Sequence, residues 1–87
     1  CQECGLVPMV EPEVLMDGAH DIEECYNVTE TTLRALFDAL YLFDVHLEGT
    51  ILKASMVLSG KDCEEQASVD EVAEATLICL RSAVPAI

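Results

Sequence analysis

Tryptophan is absent from this chain and positive charge is nearly so: 4 lysine and arginine residues stand against 17 aspartate and glutamate, for a formal net charge of −13. With so few cations there is no patch to neutralise phosphates, which argues against a nucleic-acid-binding role. No apolar run approaches the roughly 20 residues that span a bilayer, and no basic region precedes an apolar segment as in a signal peptide. A soluble chain is therefore expected. The 5 cysteines are odd in number and irregular in spacing, which argues against a disulfide framework. Free thiols in a reducing compartment fit better, so the cytoplasm is the expected location. An initiator methionine is also missing, and Ala83-Val84-Pro85-Ala86-Ile87 reads as the start of another strand, so both ends are expected to be cut.

What the chain does have is apolar surface. Its 87 residues are 52% hydrophobic, yet a domain of this size buries only about 60% of the surface its unfolded chain exposes. A core of its own would be marginal, and some apolar faces should be built to pack against further structure. The acids gather at Glu23-Glu24, between Asp62 and Glu65, and at Asp70, Glu71 and Glu74, positions that suit solvated helix faces and loops.

The hydrophobic pattern alternates between strand-like and helix-like stretches. Leu6-Val-Pro-Met-Val10 is a short apolar run suited to a strand covered on both faces, although Pro8 would remove a ladder donor from it. After the turn-forming Asp17-Gly18, Asp21-Ile-Glu-Glu24 has the spacing of a helix cap followed by a carboxylate. Val28, Leu33, Leu36, Phe37, Leu40 and Tyr41 then supply one apolar stripe, and this helix should end near Asp44. Val45 to Leu52 is the second expected strand. A loop containing Ser59-Gly60-Lys61-Asp62 follows, and Ser68-Val-Asp-Glu71 repeats the cap spacing. Val69, Val72, Ala73, Thr76, Leu77 and Leu80 form the stripe of a last helix that stops before Pro85. Strand, helix, strand, helix in this order implies an α/β fold whose parallel strands are joined by right-handed crossovers.

That topology brings charged residues together. The first strand runs into Glu11-Pro-Glu13 and the second into Lys53, so both charged ends can lie at one edge of the sheet. Extended geometry would place Glu11 and Glu13 on the same side. Mutual repulsion and burial would raise a carboxyl pKa towards neutrality and let one of them deliver protons. Lys53 would share a strand face with Leu47, Gly49 and Ile51 and emerge from an apolar interior. Desolvation favours the neutral amine, the nucleophile that attacks a ketone to form an imine. By residue type alone, the commoner readings are a solvated pair of acids and a snorkelling surface lysine.

The motifs Val10-Glu11-Pro12-Glu13, Leu47-Glu48-Gly49-Thr50 and Ile51-Leu52-Lys53, in this order, closely resemble class I fructose-bisphosphate aldolases, and the likeness extends through His20-Asp21, Val28-Thr29-Glu30, Met56-Val57, Gly60 and Val84-Pro85. The resemblance implies that residues 1–87 form part of a TIM (β/α)8 barrel, two consecutive strand-helix units of one partial domain. It also implies reversible cleavage of fructose 1,6-bisphosphate to dihydroxyacetone phosphate and glyceraldehyde 3-phosphate. In that reading Lys53 forms the Schiff base, Glu11 acts as general acid and base, and Glu13 positions the catalytic groups. No metal or other cofactor is implied. The partner is a phosphorylated sugar whose phosphates are held outside this stretch, and the parent protein is commonly a tetramer. A further lysine and aspartate, and the phosphate loops, belong to other strands, so the segment alone should be inactive. Where the family has proline and asparagine after its lysine this chain has Ala54 and Ser55, and Ala19 replaces a common acid, so the loop after Lys53 should be looser.

Other signals are weaker. Cys1-Gln-Glu-Cys4 has metal-ligand spacing, but a second cysteine pair is missing and neither His20 nor His46 is placed to complete a zinc site. Asn27-Val-Thr29 fits a glycosylation acceptor yet falls within a helix. Glu48 lies opposite Lys53 by strand parity and should form an ion pair behind the sheet. Two other readings remain open: a small acidic interaction module without enzymatic activity, and a Schiff-base barrel lyase for a different keto compound.

Overall fold

The computed structural model describes residues 1–15 and 18–85. Asp17 of the expected Asp17-Gly18 turn, and Ala86 and Ile87 of the expected further strand, lie outside the described residues. The elements in chain order are β1 (Met9–Val10), α1 (Ile22–Leu42), β2 (Ile51–Leu52) and α2 (Val69–Ala83), with short 3-10 turns at Gln2–Cys4 and Leu47–Gly49. β1 and β2 pair in parallel, Met9 beside Ile51 and Val10 beside Leu52, with α1 as the crossover.

Both helix starts form as their cap sequences dictate. Asp21 is extended at φ −86° and ψ 177°, and its carboxylate accepts from the Glu24 N–H. The Ser68 hydroxyl accepts from the Glu71 N–H at 3.2 Å and donates to the Glu71 carboxylate at 3.2 Å. Each satisfies a donor that the first helical turn leaves unpaired. At the other end of α1, Asp44 takes a left-handed conformation with φ 56°, and the N–H groups of Phe43, Asp44 and Val45 return to carbonyls of the last turn.

The strands are shorter than the apolar runs predict. β1 begins only at Met9: Pro8 stands ahead of it, contributing its carbonyl to the Ile51 N–H, so its missing donor is not needed. In the second run, Leu47–Gly49 closes a 3-10 turn through Gly49 N–H to His46 O and Thr50 N–H to Leu47 O. Glutamate and glycine are poor strand residues, and the turn still buries Leu47. Parity therefore does not extend from Leu47 to Lys53, and the expected shared face of Leu47, Gly49, Ile51 and Lys53 does not exist. Glu48 instead pairs with its neighbour, His46, at 3.1 Å.

Gln2 ties the first turn to this segment. Its side-chain amide donates to His46 O at 2.8 Å and accepts from His46 N–H at 2.9 Å.

The core is small: among the described residues its buried hydrophobic members are Cys25, Leu33, Phe37, Leu47, Val57 and Cys79. On α1 the buried line is Cys25, Thr29, Leu33 and Phe37, four residues apart, while Val28 and Tyr41 of the expected stripe face out. The expected α2 stripe departs further. Cys79, fully buried, meets α1, whereas Val69 is 85% exposed. Much of the predicted α2 stripe, including Val72, Ala73 and Leu77, looks instead onto an open apolar groove of about 480 Å³.

Candidate functional site

The end of β2 is held against the end of β1 by the Lys53 N–H, which donates to the Val10 carbonyl at 2.9 Å. This bond puts the two residues that follow the strands side by side. Lys53 Nζ lies 3.3 Å from Glu11 Oε1. A flexible cation and a carboxylate are thus brought together from positions far apart in sequence by the parallel register, as the topology predicts. Glu13 is exposed two residues further on and makes no hydrogen bond or ion pair with another described residue. The structure therefore joins Glu11 to Lys53 and leaves Glu13 beside the pair.

The expected burial is not found within this segment. The Lys53 and Glu11 side chains are 61% and 51% exposed, so water screens their attraction and the pair adds well under about 1 kcal/mol to stability. The crevice between the loop after β1, the loop after β2 and α1, lined by Pro12, Val14, Ala54 and Ser55 among others, holds about 10 Å³. That is room for a single water at most, far short of a sugar. Apolar walls around the amine, which the strand-parity argument placed on Leu47 and Gly49, are missing because those residues turn away.

The loop after Lys53 is anchored beyond Ala54 and Ser55. The Val57 N–H donates to the Thr76 hydroxyl of α2 at 2.8 Å, and the buried Ser59 hydroxyl accepts from Ala67 N–H at 3.3 Å. Further on, Gly60 N–H donates to His20 O and Asp62 N–H to Gly18 O, both at 2.8 Å. Sequence reasoning missed these anchors. Their two visible signals were Thr76, a hydroxyl in an otherwise apolar stripe, and Gly60 in the loop.

Among the described residues no group of three or more His, Cys, Asp or Glu side chains is arranged to hold a metal ion. Cys1 and Cys4 are exposed free thiols flanking a 3-10 turn. Asn27 lies within α1 and Thr29 of the same triplet is buried. Burial pushes the Cys79 thiol pKa up, as do the nearby Glu30 and Cys25, with Arg34 acting the other way.

The family model for fructose-bisphosphate aldolase class-I matches residues 1–87. This chain belongs to the class I fructose-bisphosphate aldolase family. It is 76% identical over 87 residues to a Xanthomonas axonopodis pv. citri protein named "Probable fructose-bisphosphate aldolase class 1", covering 100% of this chain and 26% of that protein. It is 50% identical over 86 residues to human fructose-bisphosphate aldolase B, covering 99% of this chain and 24% of the relative. The fold matches a crystal structure of the Plasmodium falciparum aldolase, solved with TRAP and a small-molecule inhibitor, with a TM-score of 0.96 and 45% identity over 98% of this chain and 24% of that one. The chain thus spans about a quarter of the length of these aldolase relatives.

Proposed function

We propose that this segment supplies the imine-forming lysine and the proton-transferring acid of a class I fructose-bisphosphate aldolase, within two consecutive strand-helix units of an eight-stranded barrel. The observation that carries the reading is the 3.3 Å approach of Lys53 Nζ to Glu11 Oε1 at the carboxyl ends of adjacent parallel strands. Catalytic groups in barrel enzymes sit at that end of the strands. Lys53 attacks the C2 ketone of fructose 1,6-bisphosphate, Glu11 donates the proton with which the carbinolamine expels water, and the resulting iminium takes up the electron pair released when the C4 hydroxyl gives up its proton and the C3–C4 bond breaks. Glyceraldehyde 3-phosphate leaves first, the enamine left on Lys53 takes up a proton at C3, and hydrolysis of the imine then frees dihydroxyacetone phosphate. In this reading Glu13, two residues beyond Glu11, orients these groups. The relatives are about four times longer, and their remaining length is where walls that desolvate Lys53 and loops that hold the phosphates would come from. A cytoplasmic homotetramer completes the proposal.

The test is reduction of the full-length protein carrying this segment with borohydride in the presence of dihydroxyacetone phosphate. One stable adduct per chain, located on Lys53 by peptide mapping, is expected, and Lys53→Met should abolish it. Glu11→Gln should slow turnover by about 10²–10⁴-fold, the usual worth of a general acid and base. An adduct on Lys61, or none at all, would refute the assignment.

A further inference from the structure

The two loops that carry the charged residues are joined twice. At the sheet they are tied by Lys53 N–H to Val10 O, and some eight residues later by Gly60 N–H to His20 O and Asp62 N–H to Gly18 O. Glu11, Glu13 and Lys53 all lie in sequence between these two ties. We propose that the seam between residues 18–20 and 60–62 is a positioning device that sets how Glu11 and Glu13 stand towards Lys53, with Gly60 as the residue that permits it.

Gly60 is buried, and the space for a side chain there is already taken. A Cβ at this position would collide with the Gly18 carbonyl oxygen and stand 2.9 Å from both the Gly18 carbonyl carbon and the His20 Nδ1. The obstacle is main chain rather than the tip of a mobile side chain, so even a methyl group must push the loops apart. His20 lines the other side. Its Nε2 is enclosed with no hydrogen-bond partner among the described residues, so the ring is held by packing and by the main-chain seam on its own carbonyl. Gln66 braces the far side of the turn, its Nε2 donating to Gly60 O and to Cys63 O, both at 2.8 Å. A loop fixed at one end fans out; fixed at both ends it loses most of that freedom before a substrate arrives. Displacing a reacting group by about 1 Å can cost on the order of 10²-fold in rate. The seam therefore acts through Glu11, Glu13 and Lys53 without touching substrate.

This inference rests on the imine-forming role proposed for Lys53, and the test separates the two. In the full-length protein, the rate and the final extent of borohydride trapping on Lys53 are followed for the wild type, for Gly60→Ala and for Gln66→Met. The second variant removes the brace without adding bulk and serves if the first does not fold. For a positioning seam, trapping rate and kcat fall by about tenfold to a hundredfold in Gly60→Ala, and less in Gln66→Met. KM stays unchanged and the final extent stays at one adduct per chain. Amides of Gly60 and Asp62 should exchange with deuterium faster in the variants. If the variants trap as fast as the wild type while those amides lose protection, the seam does not position the site and the inference falls. If extent falls in step with rate in Gly60→Ala, that loss is unfolding and Gln66→Met decides; if it does so in both variants, the inference falls. A wild type that forms no adduct removes the catalytic reading itself.

Discussion

Burial, rather than sequence spacing, sorts the five free thiols. Cys79 is fully buried against α1, its sulfur 4.0 Å from the Tyr26 carbonyl, while Cys1 and Cys4 are exposed. The attacking species in thiol chemistry is the thiolate, and burial raises the Cys79 pKa above its usual 9.0. A maleimide reagent should consume Cys1 and Cys4 promptly and reach Cys25 and Cys79 only after denaturant is added, as mass spectrometry of the peptides would record. Early labelling of Cys79 would contradict the packing of α2 on α1. The same group links stability to pH. A pKa raised in the folded state contributes stability that is fully present below about 9 and is lost as pH rises from there through the folded value, because the unfolded chain ionises first. Midpoints of urea unfolding measured across that range should fall for the native sequence and fall less for Cys79→Ala.

Among the elements, helix starts and the crossover topology were legible in sequence, and strand lengths and helix faces were not. Caps are local: Asp21 and Ser68 need only the N–H three residues ahead, so spacing alone decides them. Asp21→Ala should cost about 1 kcal/mol of stability, with thermal unfolding as the readout and Asp21→Asn as a near-neutral control. An unchanged midpoint would mean that the cap contributes nothing. Which face a helix buries depends instead on what stands opposite. α1 turns Cys25 and Thr29 inward in place of Val28 and Tyr41, and the apolar count of α2 pointed to its open groove rather than to its contact with α1. The Lys53–Glu11 pairing was foreseeable because parallel register follows from topology. The exposure of that pair was not, since strand parity was carried back through a segment that forms a 3-10 turn.

For the molecule as a whole, the folded surface is 6139 Å², where a monomer of 9.5 kDa should expose roughly 5,000 Å². The radius of gyration, 14.5 Å, likewise exceeds the roughly 12 Å of a compact chain of this length. Leu6, Val7, Leu42, Phe43 and Val69 all stand in solvent. Patches of this kind associate. The 87-residue segment prepared alone should bind a hydrophobic dye and grow in apparent mass with concentration in sedimentation; a dye-silent monomer at micromolar concentration would show that these faces are tolerated bare. One join in this open shape is of a different kind from the rest. By offering both a donor and an acceptor to the main chain of residue 46, the Gln2 side chain imitates a peptide unit of a neighbouring strand, so the N-terminal turn is attached through a counterfeit of backbone. Hydrolysis of that one amide to a carboxylate would set like against like at His46 O and loosen the turn with the main chain still unbroken.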